Sequence, residues 1–62
     1  MAPKGLIAVD GTTIHETDEA VLVDCGDGDV WFPKALLEDW TDVGDNGEVL
    51  MPEWLAVDKG VI

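Results

Sequence analysis

Arginine is absent, and three lysines stand against fourteen carboxylates, a formal net charge of −11 over 62 residues. Phosphate backbones and anionic lipid surfaces are held by clustered Lys and Arg, so the composition argues against direct binding to nucleic acid or to such a membrane. Cysteine and histidine occur once each, as Cys25 and His15. One cysteine makes no internal disulfide, and the pair falls short of the roughly four ligands that zinc requires. No apolar run approaches the roughly 18 residues of a membrane span, and Leu6-Ile7 is too short for an export signal. The expectation is a soluble intracellular protein.

Catalytic patterns are missing as well. Gly26 and Gly28 lack the following helix and lysine of a phosphate-binding loop. Cys25 with His15 reads as a small apolar strand residue and a surface histidine rather than a nucleophile and its base. Adjacent carboxylates such as Glu38 and Asp39 arise by chance among fourteen acids. Two acidic clusters, Asp24, Asp27 and Asp29, and then Asp42, Asp45, Asn46 and Glu48, do not follow the spacing of an EF-hand. A non-enzymatic binding protein with no metal and no cofactor is expected.

What is present is apolar material sufficient for a fold. Hydrophobic residues make up 47% of the chain and three are tryptophan, unlike a disordered acidic tail. The length allows one domain, residues 1–62, with a small core.

The organising stretch is Asp24-Cys25-Gly26-Asp27-Gly28-Asp29, set between Val21-Leu22-Val23 and Val30-Trp31-Phe32. Asp-Gly between apolar runs signals a hairpin, because a primed turn needs the positive φ that Gly supplies freely. Strands are expected at 20–25 and 29–32, with Pro33 ending regular pairing or sitting on an edge. Asp10-Gly11 is read as the turn of an N-terminal hairpin joining 6–9 to 12–16. Thr17-Asp18-Glu19 is read as a turn.

Residues 34–40 suit either one or two helical turns, with Leu36, Leu37 and Trp40 on one face, or an irregular run. A loop at 41–47 and a last strand at 48–51 follow. Pro52 at the first helical position, Glu53, Lys59 and Gly60 have the grammar of a C-terminal helix. Its Trp54 and Leu55, with Val61 or Ile62, should cover the sheet, and Trp31 and Trp54 should be core residues. The expected class is α+β, mainly β: a small antiparallel sheet of hairpins, open or curled toward a barrel, with a short C-terminal helix.

From Glu16 to Glu48 there are eleven acids and one lysine, Lys34, with most acids on turns or strand ends. Carboxylates at such density on a rigid scaffold can take the places of DNA phosphates, which present one charge per about 3.4 Å of axis per strand, on a basic protein surface. The candidate contact set is Asp27, Asp29, Glu38, Asp39, Asp42, Asp45 and Glu48, with Trp40 as an aromatic anchor. Docking through Trp40 and nearby leucines, with the charge serving solubility, is the alternative, as for an accessory module of DNA metabolism.

Glu16-Thr17-Asp18-Glu19-Ala20-Val21-Leu22-Val23, Val30-Trp31-Phe32-Pro33-Lys34 and Met51-Pro52-Glu53-Trp54-Leu55-Ala56, closed by Lys59-Gly60-Val61-Ile62, resemble small uncharacterised proteins of bacteriophages and prophages. Those carry Trp-x-Pro-Lys-Ser and Pro-Glu-Trp-Leu-Ala segments, and the similarity covers about residues 16–62. Ala35 stands where the pattern has serine. The resemblance implies no activity to transfer. In size, charge and phage character the chain is also similar in type, without a shared motif, to acidic anti-CRISPR proteins that act as DNA mimics. That likeness implies an inhibitor whose partner is a basic nucleic-acid-binding protein, such as a CRISPR effector subunit, with no direct contact to nucleic acid.

Overall fold

Four segments, each with a short apolar run rich in β-branched or aromatic residues, form strands. The computed structural model describes residues 5–26 and 28–62. Strands β1 (Leu6–Glu16), β2 (Ala20–Asp24), β3 (Asp29–Pro33) and β4 (Asn46–Pro52) precede helix α1 (Glu53–Lys59). The sheet is antiparallel, in the order β3-β2-β1-β4. Its end strands do not meet, so it is an open sheet and not a barrel. The protein is α+β and mainly β.

One face of the sheet is covered. Val9, Val21, Val23, Phe32, Val49 and Met51 project from it and pack with Leu37, Leu55 and Ala56. The intervening residues, among them Asp10, Asp24, Asp29, Trp31 and Glu48, face outward and are exposed, as strand periodicity requires.

The expected N-terminal hairpin does not form. Residues 6–16 are one strand, paired with β4 up to Thr12 and with β2 from Thr12 onward. Gly11 takes no positive φ. It serves close approach instead: a Cβ there would lie 2.5 Å from Val23 Cγ1 and 2.9 Å from the Asp24 carbonyl oxygen. A bulge between Thr13 and His15 then shifts the register, which sets His15 on the open face and Glu16, still exposed, opposite Val21.

The central hairpin is as expected, although β2 ends at Asp24 and Cys25 lies in the turn. Asp27, half of the Asp-Gly signal, lies outside the described residues. Beside it the Asp24 carboxylate accepts from the Gly26 N–H at 2.9 Å, and Gly26 and Gly28 have φ of 100° and 145°. Thr17 makes the preceding turn, its Oγ1 accepting from the Ala20 N–H at 3.1 Å.

After Pro33 a single 3₁₀ turn, Lys34–Leu36, takes the place of the longer helix. Leu36 is exposed, Leu37 is buried and Trp40 is half-buried, so the three share no face. The chain then runs along β4: the Glu38 N–H donates to the Leu50 carbonyl and the Leu50 N–H to the Asp39 carbonyl, each at 2.9 Å. Buried Thr13 ties down the next loop. Thr41 gives its hydroxyl hydrogen to the Asp45 carbonyl at 3.1 Å, so Thr13 donates to Thr41 Oγ1 at 2.9 Å.

Helix α1 begins at Glu53; Pro52 is its N-cap and still pairs with Leu6 in β4. Gly60 ends it in the left-handed conformation, φ 75°. The Val61 N–H bonds back to Ala56 and the Gly60 N–H to Val57, the double closure of a Schellman motif. Leu55 and Ala56 are buried and Val61 packs against the core, whereas Trp54 is 58% and Ile62 62% exposed. Trp31, at 43%, is on the open face. Neither Trp31 nor Trp54 is a core residue, because each falls on the outward phase of its element.

Gly11→Ala should lower unfolding stability by about 2 kcal/mol, as overpacking of a rigid site does. Urea unfolding measures it, with Gly47→Ala, whose Cβ would meet only the Thr41 methyl, expected to cost less.

Candidate functional site: an acidic sheet face

The outward residues assemble in rows, each set by strand register. Asp10 stands directly opposite Glu48 on β1 and β4, and Asp24 opposite Asp29 on β2 and β3. Between these pairs Thr12 lies opposite both Asp24 and Asn46, and Asn46 donates from Nδ2 to Thr12 Oγ1 at 2.9 Å. Directly opposed side chains have Cβ atoms about 5 Å apart, and like charges there are destabilising. The face therefore holds two repelling pairs around a neutral Thr-Asn pair. A shallow depression of about 310 Å³, lined in part by Asp10, Thr12, Asp24 and Asn46, marks its centre.

Lys34 is ion-paired with Glu16 and lies 5.6 Å from the centre of the Trp40 ring. Lys59, in the last turn of α1, lines a cavity with Asp29 and Val30. Among the described residues neither lysine forms an ion pair with Asp10, Asp24, Asp29 or Glu48.

Beyond the acids lies a second row: His15, Leu22 and Trp31 are cross-strand neighbours on β1, β2 and β3. The His15 and Trp31 rings meet edge to face with centroids 5.9 Å apart. They close over Leu22 between them, which is only half-exposed.

The structure divides the acids expected to act together. Asp29 and Glu48 share the open face, with β2 and β1 between their strands. Asp39 lies beside Leu50 at the β4 edge, through an isolated bridge. Glu38 is exposed next to it, and Asp42 and Asp45 are exposed on the loop held by Thr13. Residues 38–39 thus flank β4 and residues 44–45 bond to Thr13 of β1, so the segment does not extend a strip beside the β2–β3 turn. Asp27 lies outside the described residues. Trp40 packs against the core under Lys34 and is not a free anchor. Asp10 and Asp24 stand outside the expected contact set: Asp10-Gly11 reads locally as a turn, and the pairing of Asp24 with Asp29 depends on register. The signal that could have found them is the i, i+2 spacing of Ala8, Asp10 and Thr12 against Val9 and Thr13, which marks one continuous strand.

Cys25 is half-buried, with its Sγ 3.8 Å from the Val23 carbonyl. Burial pushes the thiol pKa up, and the Asp24 and Asp29 charges add to this. Among the described residues, no three His, Cys, Asp or Glu side chains converge as metal ligands, and no helix is long and apolar enough to cross a membrane. Compared with known proteins, the chain matches no family model, no curated protein and no solved structure.

The rate of Cys25 alkylation by iodoacetamide should therefore rise at a higher pH in the folded chain than in urea. Asp24→Asn with Asp29→Asn should move that midpoint partly back down. Because the folded thiol holds its proton more tightly, its contribution to stability is complete below the unfolded pKa. It is lost as pH rises into the alkaline range.

Proposed function

We infer that the chain is a non-enzymatic inhibitor whose acidic open face occupies the DNA-binding surface of a basic nucleic-acid-binding protein. The observation that carries this reading is the pair of like-charge oppositions, Asp10 with Glu48 and Asp24 with Asp29, none of them ion-paired with a described lysine. Solubility alone requires no such arrangement, since dispersed carboxylates serve it equally well with less repulsion. Adjacent strands lie about 4.8 Å apart, so each opposed pair sets two negative charges side by side, and the Asp10–Glu48 and Asp24–Asp29 pairs stand two residues out of step across β1 and β2. The resemblance to phage proteins and the type-likeness to acidic anti-CRISPR proteins support a bacterial host's cytoplasm as the setting. They also support a defence complex, such as a CRISPR effector subunit, as the partner. Asp39, Asp42 and Asp45 widen the negative field around the β4 side.

The test is capture of partners from bacterial lysate by the tagged chain, followed by elution with duplex DNA. A variant carrying Asp10→Asn, Asp24→Asn, Asp29→Asn and Glu48→Gln should capture no DNA-displaceable protein. It should also unfold about 1 kcal/mol less readily at low salt, because each opposed pair costs roughly 0.2–1 kcal/mol. Partners that resist DNA, or that the variant captures equally well, would overturn the reading.

A further inference from the structure

The two edges of the sheet are treated differently. The β4 edge is closed by the 38–39 segment through the two hydrogen bonds with Leu50. Along β3 no described segment pairs with the outer edge. Hydrogen-bonded pairs in an antiparallel ladder alternate with non-bonded ones. Bonds from the Cys25 N–H to the Gly28 carbonyl and from the Lys34 N–H to the Glu19 carbonyl fix the phase. Val30 and Phe32 therefore bond inward to β2. Asp29 and Trp31 point both N–H and C=O away from the sheet, and Pro33 offers no N–H to extend the row.

Asp29 and Trp31 also present their side chains on the open face, with Asp24 and Leu22 directly behind them on β2. A strand added at this edge would set one outward residue beside the Asp24–Asp29 pair and another, two positions along, beside the Trp31 ring. The first position favours Lys or Arg by charge. The second favours an aliphatic side chain or a cation over the indole face.

We propose that the open β3 edge accepts an extended, basic segment of a partner protein, hydrogen-bonded to the main chain of Asp29 and Trp31. Main-chain pairing gives affinity and the alternating side chains give selectivity, as in other strand additions. The occupant is a partner rather than a second copy of this chain, because two β3 edges would bring their Asp29 carboxylates and the −11 charges of both chains together. The proposal rests on the reading that the partner is basic, and it adds the mode of engagement.

The probe is a short peptide alternating lysine and valine. Its control has the same sequence with the amides of one edge N-methylated, which keeps the charge and removes the pairing. Amide exchange of the ¹⁵N-labelled full chain is followed at physiological salt. The unmodified peptide should slow exchange at the Asp29 and Trp31 amides by about tenfold or more, and the methylated peptide should not. Trp31→Ala, at a half-exposed position that leaves the core intact, should weaken the unmodified peptide by about tenfold while Asp29 stays protected. Equal binding of both peptides, protection elsewhere, or an unchanged Trp31→Ala affinity would overturn edge pairing and leave the charge reading in place. Failure of both peptides to bind would overturn the basic-partner reading itself. Protection of these amides that grows with protein concentration alone would assign the edge to a second copy and overturn the proposal.

Discussion

Close contact between the backbone of Gly11 and the side chain of Val23 is the constraint on which the rest of the molecule depends. It lets β1 run straight past β2 where any side chain would force them apart. Because β1 is continuous, it bonds β4 along its first half and β2 along its second. The C-terminal third of the chain is thereby joined to the central hairpin. A turn at Asp10-Gly11 would have left β4 and α1 with nothing to pair against.

From this follows the division of labour between the two faces. A chain of 62 residues has apolar material to cover one side of a four-stranded sheet, and α1, Leu37 and Trp40 are spent on that side. The other face is left to water and carries charge. Residues that oppose one another there are set by the same register that aligns Val9 with Val49 and Val23 with Val30 inside. The repulsion between Asp10 and Glu48, or between Asp24 and Asp29, cannot relax without shifting core residues on the reverse side. Core packing thus holds the acidic face in a fixed geometry, which a flexible acidic tail of equal charge would lack.

The elements legible in the sequence were those with local chemical signatures. Gly60, which alone tolerates the left-handed closure, marked the end of α1. The apolar runs in 20–25 and 29–32, joined through Asp27-Gly28, marked the hairpin, and Thr17 its entry. Gly11 misled because a glycine beside aspartate signals a turn and a close strand contact equally. The choice depends on a partner, Val23, twelve residues away. The tryptophans misled for a related reason: bulk and apolarity suggested burial, but the phase of β3 and α1 turns Trp31 and Trp54 outward. The individual acids were visible. Which of them face one another was not, since opposition across strands is a property of register.

The placement of the indoles has a spectroscopic consequence. With Trp31 at 43% and Trp54 at 58% exposure, two of the three fluorophores already emit from water in the native state. Unfolding changes mainly the surroundings of Trp40, which lies beneath a lysine ammonium. Intrinsic emission is therefore a poor gauge of whether this chain is folded. It is a far better gauge of whether something has come to rest beside Trp31.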